Sequence, residues 1–184
     1  MPIQTPICDF GQKALPFELK STDNKIISLD NIKGENGTLI MFICNHCPYV
    51  KAVTKEIVED CNELKKIGIN SVAICSNDGF NYPDDSFENM IKFSNDNQFN
   101  FPYLQDETQE IAKAYDAVCT PDFFGYNKDL GLQYRGRLRE LKNFVPVKDG
   151  ESDLLKAMKQ IAETGKGPQN QIPSAGCGIK WKYN

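Results

Sequence analysis

The hydrophobic pattern is strongest in a strand, a turn and a helix between residues 38 and 68. Residues 39–43, Leu-Ile-Met-Phe-Ile, are an unbroken apolar run, which predicts a strand buried on both faces. After the turn, apolar side chains recur at helical spacing. Pro48 suits the first helical position and Gly68 follows the last turn, so a helix from 48 to about 66 is predicted. Cys47 therefore falls where a buried strand gives way to a helix.

The remaining pattern predicts strands and helices in alternation. Residues 17–19 and 25–29 alternate apolar and polar positions around a polar turn, which predicts a hairpin. A second apolar run at 71–75 completes a strand–helix–strand unit and favours a parallel pair. Asp106 and Gln109 resemble a capping box for a helix through Val118. Further elements are expected at 86–96 and 152–164 as helices, at 99–104 as an extended segment, and at 123–126 and 132–135 as strands.

Length and composition predict an ordinary globular protein. The chain has 184 residues, 40% hydrophobic and 25% charged, which predicts one domain over 1–184 with its core at about 15–164 and a Gly/Pro-rich tail at 165–184. The net charge of −4 argues against nucleic acid as a partner. No apolar run approaches the roughly 20 residues that span a membrane, and the N-terminal residues do not resemble a signal peptide. A cytoplasmic location is therefore expected.

The chain contains seven cysteines, an odd number at irregular spacing. This pattern does not indicate a structural disulfide framework. In a reducing cytoplasm, cysteines serve as buried apolar residues, ligands or redox groups. Cys61 and Cys75 fall on apolar stripes and are expected to be inert. Cys47 is different, because backbone N–H groups and the helix dipole favour a thiolate at its position.

Three segments resemble those of a known family. They are the hairpin with 27–34, the strand-to-helix turn 42–51, and Thr120-Pro121. Over about 15–164 the chain resembles the peroxiredoxin-like AhpC/TSA branch of the thioredoxin superfamily, and the tail 173–181 is most similar to an uncharacterised peroxiredoxin-like subgroup. The resemblance implies an α/β thioredoxin-like fold, with a central mixed sheet flanked by helices. It also implies that Cys47 is the nucleophile and that Thr120-Pro121 is a cis-proline loop facing it.

The resemblance implies a thiol-disulfide oxidoreductase or a peroxiredoxin-like antioxidant protein of cell redox homeostasis. The oxidant would be a peroxide or a disulfide, a cellular dithiol would be the reductant, and no organic cofactor is implied. Val50 stands where thioredoxins have their second cysteine. Cys44 and Ile40 stand where peroxiredoxins have Thr or Ser and Pro. The usual thioredoxin dithiol and the usual peroxide-orienting hydroxyl are therefore both absent.

Cys44 and Cys47 nevertheless form a C-x-x-C pair. One interpretation is that Cys47 attacks and Cys44 resolves, since position 44 corresponds to the residue that points at the nucleophile in peroxiredoxins. The other is that Cys44 is only a packed strand residue. Cys177, in a tail expected to be flexible, and Cys119, before Thr120-Pro121, are further candidates to resolve an oxidised Cys47. Each of them also has a purely structural interpretation.

His46 is the only histidine of the chain. It could shuttle a proton or raise the local positive potential, or it could merely cover the site. Cys44, His46 and Cys47 are also suitable ligands for Zn(II) or Cu(I). The alternative function is therefore a redox-silent or metal-binding module that acts through partner contacts. No second C-x-x-C and no other histidine are present, so no resident metal is predicted.

Overall fold

The computed structural model describes residues 1–183. The strands, in chain order, are β1 Ile3–Gln4, β2 Glu18–Ser21, β3 Ile26–Ser28, β4 Gly37–Phe42, β5 Ile69–Cys75, β6 Tyr103–Gln105, β7 Cys119–Thr120, β8 Asp122–Tyr126, β9 Leu132–Arg135, β10 Leu141–Lys142, β11 Val145–Pro146 and β12 Ala175–Gly178. The helices are α1 Leu29–Ile32, α2 Pro48–Lys66, α3 Phe87–Asp96, α4 Glu110–Ala114 and α5 Asp153–Thr164, with a 3₁₀ turn at Pro83–Asp85.

The main sheet has seven strands in the order β3-β2-β6-β5-β4-β8-β9. Its central strand β4 runs parallel to β5 and antiparallel to β8, which confirms the predicted mixed sheet and the parallel pair. Every residue of β4 is buried, because apolar clusters cover both faces of the sheet. One cluster includes α2, α3 and α5, and the other includes α1 and α4. This double burial explains why β4 reads as a continuous apolar run.

Helix α2 forms as the apolar spacing predicts. Its inward stripe packs on the sheet, while Lys65 and Lys66 lie in its last turn, where cations complement the helix dipole. Cys47 is the N-cap residue and Pro48 occupies the first turn. The nucleophile candidate is thus fixed between the end of the central strand and the start of the longest helix.

The predicted helix through Val118 is wrong in its extent. Asp106 does accept hydrogen bonds from the backbone N–H groups of Ile111 and Ala112, at 3.3 and 2.9 Å. Gln109, however, adopts a left-handed conformation with φ 67° and directs its amide away from the helix. The chain turns out of the helix at Asp116, whose φ is 56°. Helix α4 is therefore only five residues long.

The tail was expected to be flexible, and this prediction is also wrong. Strand β12 pairs antiparallel with β7 on one side and with β1 on the other. Ser174 adds a hydrogen bond from Oγ to the carbonyl of Pro121 at 2.7 Å. Gly176 permits this packing, because a Cβ there would lie 1.9 Å from the carbonyl oxygen of Thr120. Backbone pairing and small residues hold the tail in place, together with Ile179, which is buried in one of the apolar clusters.

Three other observations complete the fold. The predicted helix at 152–164 is confirmed as α5, with Ser152 accepting from Leu155 N–H at its start and Gly165 in a left-handed conformation at its end. The short strands β1, β10 and β11 are too short to have a sequence signature. Among the residues that the structure describes, no helix is both long and apolar enough to cross a membrane.

Candidate active site

Cys47 lies at the junction of β4 and α2. It has an extended backbone, with φ −67° and ψ 125°, and its carbonyl accepts the first helical hydrogen bond from Lys51 N–H at 2.9 Å. The residue is 0% exposed. Its thiol donates to the carbonyl oxygen of Thr120 at 3.3 Å. The sulfur is therefore enclosed, at the positive end of a 19-residue helix.

Cys44 supplies a second thiol beside the first. In this structure its sulfur is 3.3 Å from Thr120 Oγ1. Once Cys47 is ionised, the Cys44 S–H can donate to it instead. This donation is the largest cause that lowers the pKa of Cys47 to about 5, against the burial that raises it. The same interaction, followed by burial, raises the pKa of Cys44 well above its ordinary value.

Cys177 supplies a third thiol. The register of β12 against β7 places Cys177 directly opposite Thr120, and both its side chain and its backbone N–H lower the pKa of Cys47. Burial, and then the bond to Cys47, raise the pKa of Cys177 to about 11. The N–H of Val50 also lowers the pKa of Cys47, although the sulfur does not have the geometry of a side-chain helix cap. The effect of the Val50 N–H on this pKa is therefore electrostatic attraction.

The peptide bond between Thr120 and Pro121 is cis, which confirms the predicted cis bond. Thr120 contacts both sulfurs, through its carbonyl to Cys47 and its hydroxyl to Cys44. Pro121 leads into β8, the antiparallel neighbour of β4. The loop and the strand-to-helix turn thus meet at one end of the sheet.

His46 is half-buried and faces a carboxylate that sequence reasoning missed. Its Nδ1 is 2.5 Å from Asp85 Oδ2. This nitrogen is shielded from solvent and makes no hydrogen bond of normal geometry. The two side chains are therefore in close contact, but their geometry does not fit an N–H···O hydrogen bond. The contact places an imidazole and a buried acid near the Cys44 sulfur.

Asp85 is held in a fixed orientation. Its Oδ1 accepts from Asn45 N–H at 2.8 Å and its Oδ2 accepts from the Asn77 amide at 2.8 Å. The Tyr103 hydroxyl in turn donates to Asn45 Oδ1 at 2.8 Å. One signal could have found Asp85: it lies in the loop after β5, and the carboxyl ends of parallel strands meet at the same edge of a sheet.

The remaining cysteines are not joined to Cys47. Cys119, a predicted resolving candidate, is buried near Asp122, and burial raises its pKa to about 12. Among the hydrogen bonds of the described residues, none joins it to another thiol. Burial also raises the pKa of Cys61 and of Cys75 to about 12. Thiols of this kind are poor nucleophiles at neutral pH, which agrees with the inert role expected for Cys61 and Cys75.

The fold and this arrangement define a thioredoxin-like protein with a cysteine at the start of its first long helix. A model of the AhpC/TSA family matches residues 10–140, and the chain belongs to that family. Comparison with curated protein sequences gave no significant match.

Several solved structures are similar to this chain. An uncharacterized conserved protein from Geobacillus kaustophilus is 42% identical, with a TM-score of 0.94 over 100% of this chain and 98% of that chain. A hypothetical protein from Sinorhizobium meliloti 1021 is 30% identical, with a TM-score of 0.91 over 100% of both chains. Peroxidoxin BcpB from Mycobacterium tuberculosis is 13% identical, with a TM-score of 0.59 over 83% of this chain and 92% of that chain. This last similarity concerns the fold alone.

Proposed function

We propose that the protein is a thiol oxidoreductase whose nucleophile is Cys47. The observation that carries the proposal is the position of this sulfur, at the start of α2 and beside the Cys44 thiol. The thiolate is the attacking form of cysteine, and both the helix start and a neighbouring donor favour it. Membership of the AhpC/TSA family agrees with this chemistry.

The first candidate oxidant is a hydroperoxide. The Cys47 thiolate attacks one peroxide oxygen, the O–O bond breaks, and the alkoxide leaves as an alcohol after taking up a proton. Cys47 becomes a sulfenic acid. Oxidation of Cys47 removes the thiolate that accepts from the Cys44 S–H, and this interaction is the largest cause of the raised Cys44 pKa. The Cys44 sulfur then attacks Cys47, a disulfide forms, and the Cys44 proton leaves with the sulfenic oxygen as water. A cellular dithiol returns two electrons and two protons, which restores both thiols. This cycle would give the protein an antioxidant role.

The second candidate oxidant is a disulfide, favoured by the C-x-x-C spacing of Cys44 and Cys47. The Cys47 thiolate attacks one sulfur, and the other leaves as a thiolate. Cys44 attacks the mixed disulfide, and the second substrate sulfur leaves. We place the hydroperoxide first, because Cys47 is fully enclosed and a molecule of a few heavy atoms needs less opening than a protein disulfide.

We propose Cys44, rather than Cys177 or Cys119, as the resolving cysteine. Cys44 and Cys47 close a short loop, so little chain entropy is spent in joining them. Cys177 also lies beside Cys47, but it is held in a strand paired on both sides. A bond to Cys47 would pull against that pairing. Cys119 has no described hydrogen bond to the nucleophile.

Peptide mapping tests these assignments. Chelator-treated, reduced protein is exposed to one equivalent of hydrogen peroxide or, separately, of oxidised glutathione, and is digested without reduction. We expect a Cys44–Cys47 disulfide in wild type and none in Cys47→Ser. Cys61→Ser, which removes a buried cysteine within α2, should oxidise as wild type does.

The outcomes separate the two parts of the proposal. Unmodified Cys47 in protein whose other cysteines are oxidised would refute the assignment of Cys47 as the nucleophile. Peroxide consumption by Cys47→Ser at the wild-type rate would refute it too. A map that joins Cys47 to Cys177, with Cys44 free, would keep the nucleophile and refute the choice of Cys44. The relative rates with the two oxidants decide the substrate class.

A further inference from the structure

We propose that the reduced protein binds Zn(II) through the Cys44 sulfur, the His46 imidazole and the Asp85 carboxylate. One ligand atom from each of these residues lies within 4.8 Å of the other two. Ligand atoms around a tetrahedral zinc stand about 3.3–3.8 Å apart, given the usual Zn–N, Zn–O and Zn–S distances. Small side-chain rotations would therefore bring the three atoms to coordination distance.

The contact between His46 and Asp85 is what points to a cation. Nδ1 and Oδ2 approach to 2.5 Å, yet the nitrogen makes no hydrogen bond. Two acceptor atoms this close repel each other unless a positive charge lies between them or on the ring. Asp85 is 1% exposed, and among the salt bridges of the described residues its one partner is His46, which carries a charge only when it is protonated. A buried carboxylate requires such compensation, and a metal ion would supply it.

The surroundings hold the ligands as metal sites require. Backbone N–H of Asn45 and the Asn77 amide fix the two oxygens of Asp85, and Thr120 Oγ1 contacts the Cys44 sulfur. Such outer contacts orient metal ligands and raise their affinity. The mixture of thiolate, imidazole and carboxylate suits zinc, whereas Cu(I) prefers soft sulfur ligands and Mg(II) prefers oxygen.

The site has three protein ligands, so the fourth position is left for water. The His46 side chain is 29% exposed, which gives the ion a route from solvent past the imidazole. On binding, the Cys44 thiol loses its proton to solvent, and neutral His46 and ionised Asp85 coordinate directly.

Zinc would also regulate the chemistry proposed above, and this part of the inference rests on the proposed function. The Cys44 sulfur cannot both coordinate zinc and form a disulfide with Cys47. Bound zinc therefore withholds Cys44 from disulfide formation, and a Cys44–Cys47 disulfide cannot hold the ion. Oxidation of the two thiols by substrate would release Zn(II) unchanged to solvent.

Titration of the full-length protein with Zn(II), and with Co(II) as a spectroscopic probe, tests the site. We expect reduced wild type to bind one equivalent of either ion, with a thiolate-to-cobalt charge-transfer band and the visible bands of a tetrahedral site. Cys44→Ser, His46→Ala and Asp85→Asn should each weaken binding at least about tenfold. The matched controls Asp84→Asn, an exposed neighbour of the proposed ligand, and Cys119→Ser should bind as wild type does.

The His46→Ala variant keeps the test decisive if Asp85→Asn does not fold, because His46 is partly exposed. Binding that survives His46→Ala, or a cobalt spectrum without thiolate charge transfer, would overturn the proposal, and so would the absence of one-equivalent binding. The disulfide form should bind no metal. Zinc binding by wild type, together with no oxidation of Cys47 in the chelator-treated protein, would refute the proposed function and keep the site. Oxidation of Cys47 without zinc binding would refute the zinc site and keep the proposed function.

Discussion

Cys177 lies directly opposite Thr120 in the antiparallel pair of β12 and β7, and this pairing brings a thiol from the C-terminal segment to Cys47. Thr120 is the common neighbour, since it also contacts the sulfurs of Cys44 and Cys47. The environment of Cys47 is therefore built from the strand-to-helix turn, the proline loop and strand β12.

The donor role of Cys44 can be separated from the resolving role that we propose for it. In metal-free protein we expect the alkylation of Cys47 to follow a pKa near 5, below the ordinary value of about 8.5. Cys44→Ala removes the donor and should raise the pKa of Cys47. Cys44→Ser keeps a hydroxyl donor, so the pKa of Cys47 should stay close to its wild-type value. The measurement is the pH dependence of alkylation, followed by mass spectrometry of the Cys47 peptide. An equal pKa in both variants would contradict the donor role.

Gly176→Ala tests whether β12 encloses Cys47. The new methyl group would meet the Thr120 carbonyl at 1.9 Å, so we expect β12 to shift and the free energy of unfolding to fall by about 1–3 kcal/mol. The alkylation of Cys47 should become faster at a pH where its thiol is fully ionised, because the rate there depends on access to the sulfur. Gly131→Ala is the control, because its Cβ would have its nearest contact at 3.5 Å. Unchanged alkylation in a destabilised Gly176→Ala would refute the enclosing role.

Arg135→Met should destabilise the protein strongly. The guanidinium bonds the buried Asp122 carboxylate through Nη2 at 2.9 Å, with side-chain exposures of 6% and 0%. Loss of the arginine leaves that charge uncompensated, at a cost of about 3–5 kcal/mol in the free energy of unfolding. In the control Arg137→Met the broken pair is with Asp153, at exposures of 26% and 37%, and should cost less than about 1 kcal/mol. Urea unfolding of both variants measures the contrast, and similar losses would contradict it.

Asp60 makes stability depend on pH in an unusual direction. Burial raises the pKa of Asp60 to about 6 from 3.8. The folded state therefore holds a proton that the unfolded state releases between about pH 4 and 6, and the free energy of unfolding falls as the pH rises through this window. Asp60→Asn should remove the effect, so its stability relative to wild type should rise from pH 4 to pH 7 by up to about 3 kcal/mol.

The exposed variant Glu59→Gln controls for the loss of one negative charge from the same helix. Ser152 Oγ donates to Asp60 Oδ2 at 2.6 Å, and an asparagine oxygen can still accept this bond. Thermal unfolding across the pH range gives the comparison. A stability difference for Asp60→Asn that does not change between pH 4 and pH 7 would show that the burial of Asp60 has no linkage to folding.

The sequence by itself determined the centre of the molecule. The apolar run of β4, the helical spacing of α2 and the turn residues Cys47 and Pro48 lie next to each other in the chain. Their backbone conformations follow from local propensity and from the burial of one strand and one helix face. That is why the position of Cys47 at a helix start could be predicted from residues alone.

Tertiary structure decided what surrounds that cysteine. The contact of His46 with Asp85 spans 39 positions of the chain, and the pairing of Cys177 with Thr120 spans 57. Neither has a local pattern, because each depends on the register of strands and on loops that meet at one edge of the sheet. The short α4 has the same cause, since Gln109 bonds to the carbonyls of Ser76 and Lys180. Long-range hydrogen bonds outweigh a local capping signal there, as tertiary context commonly overrides propensity.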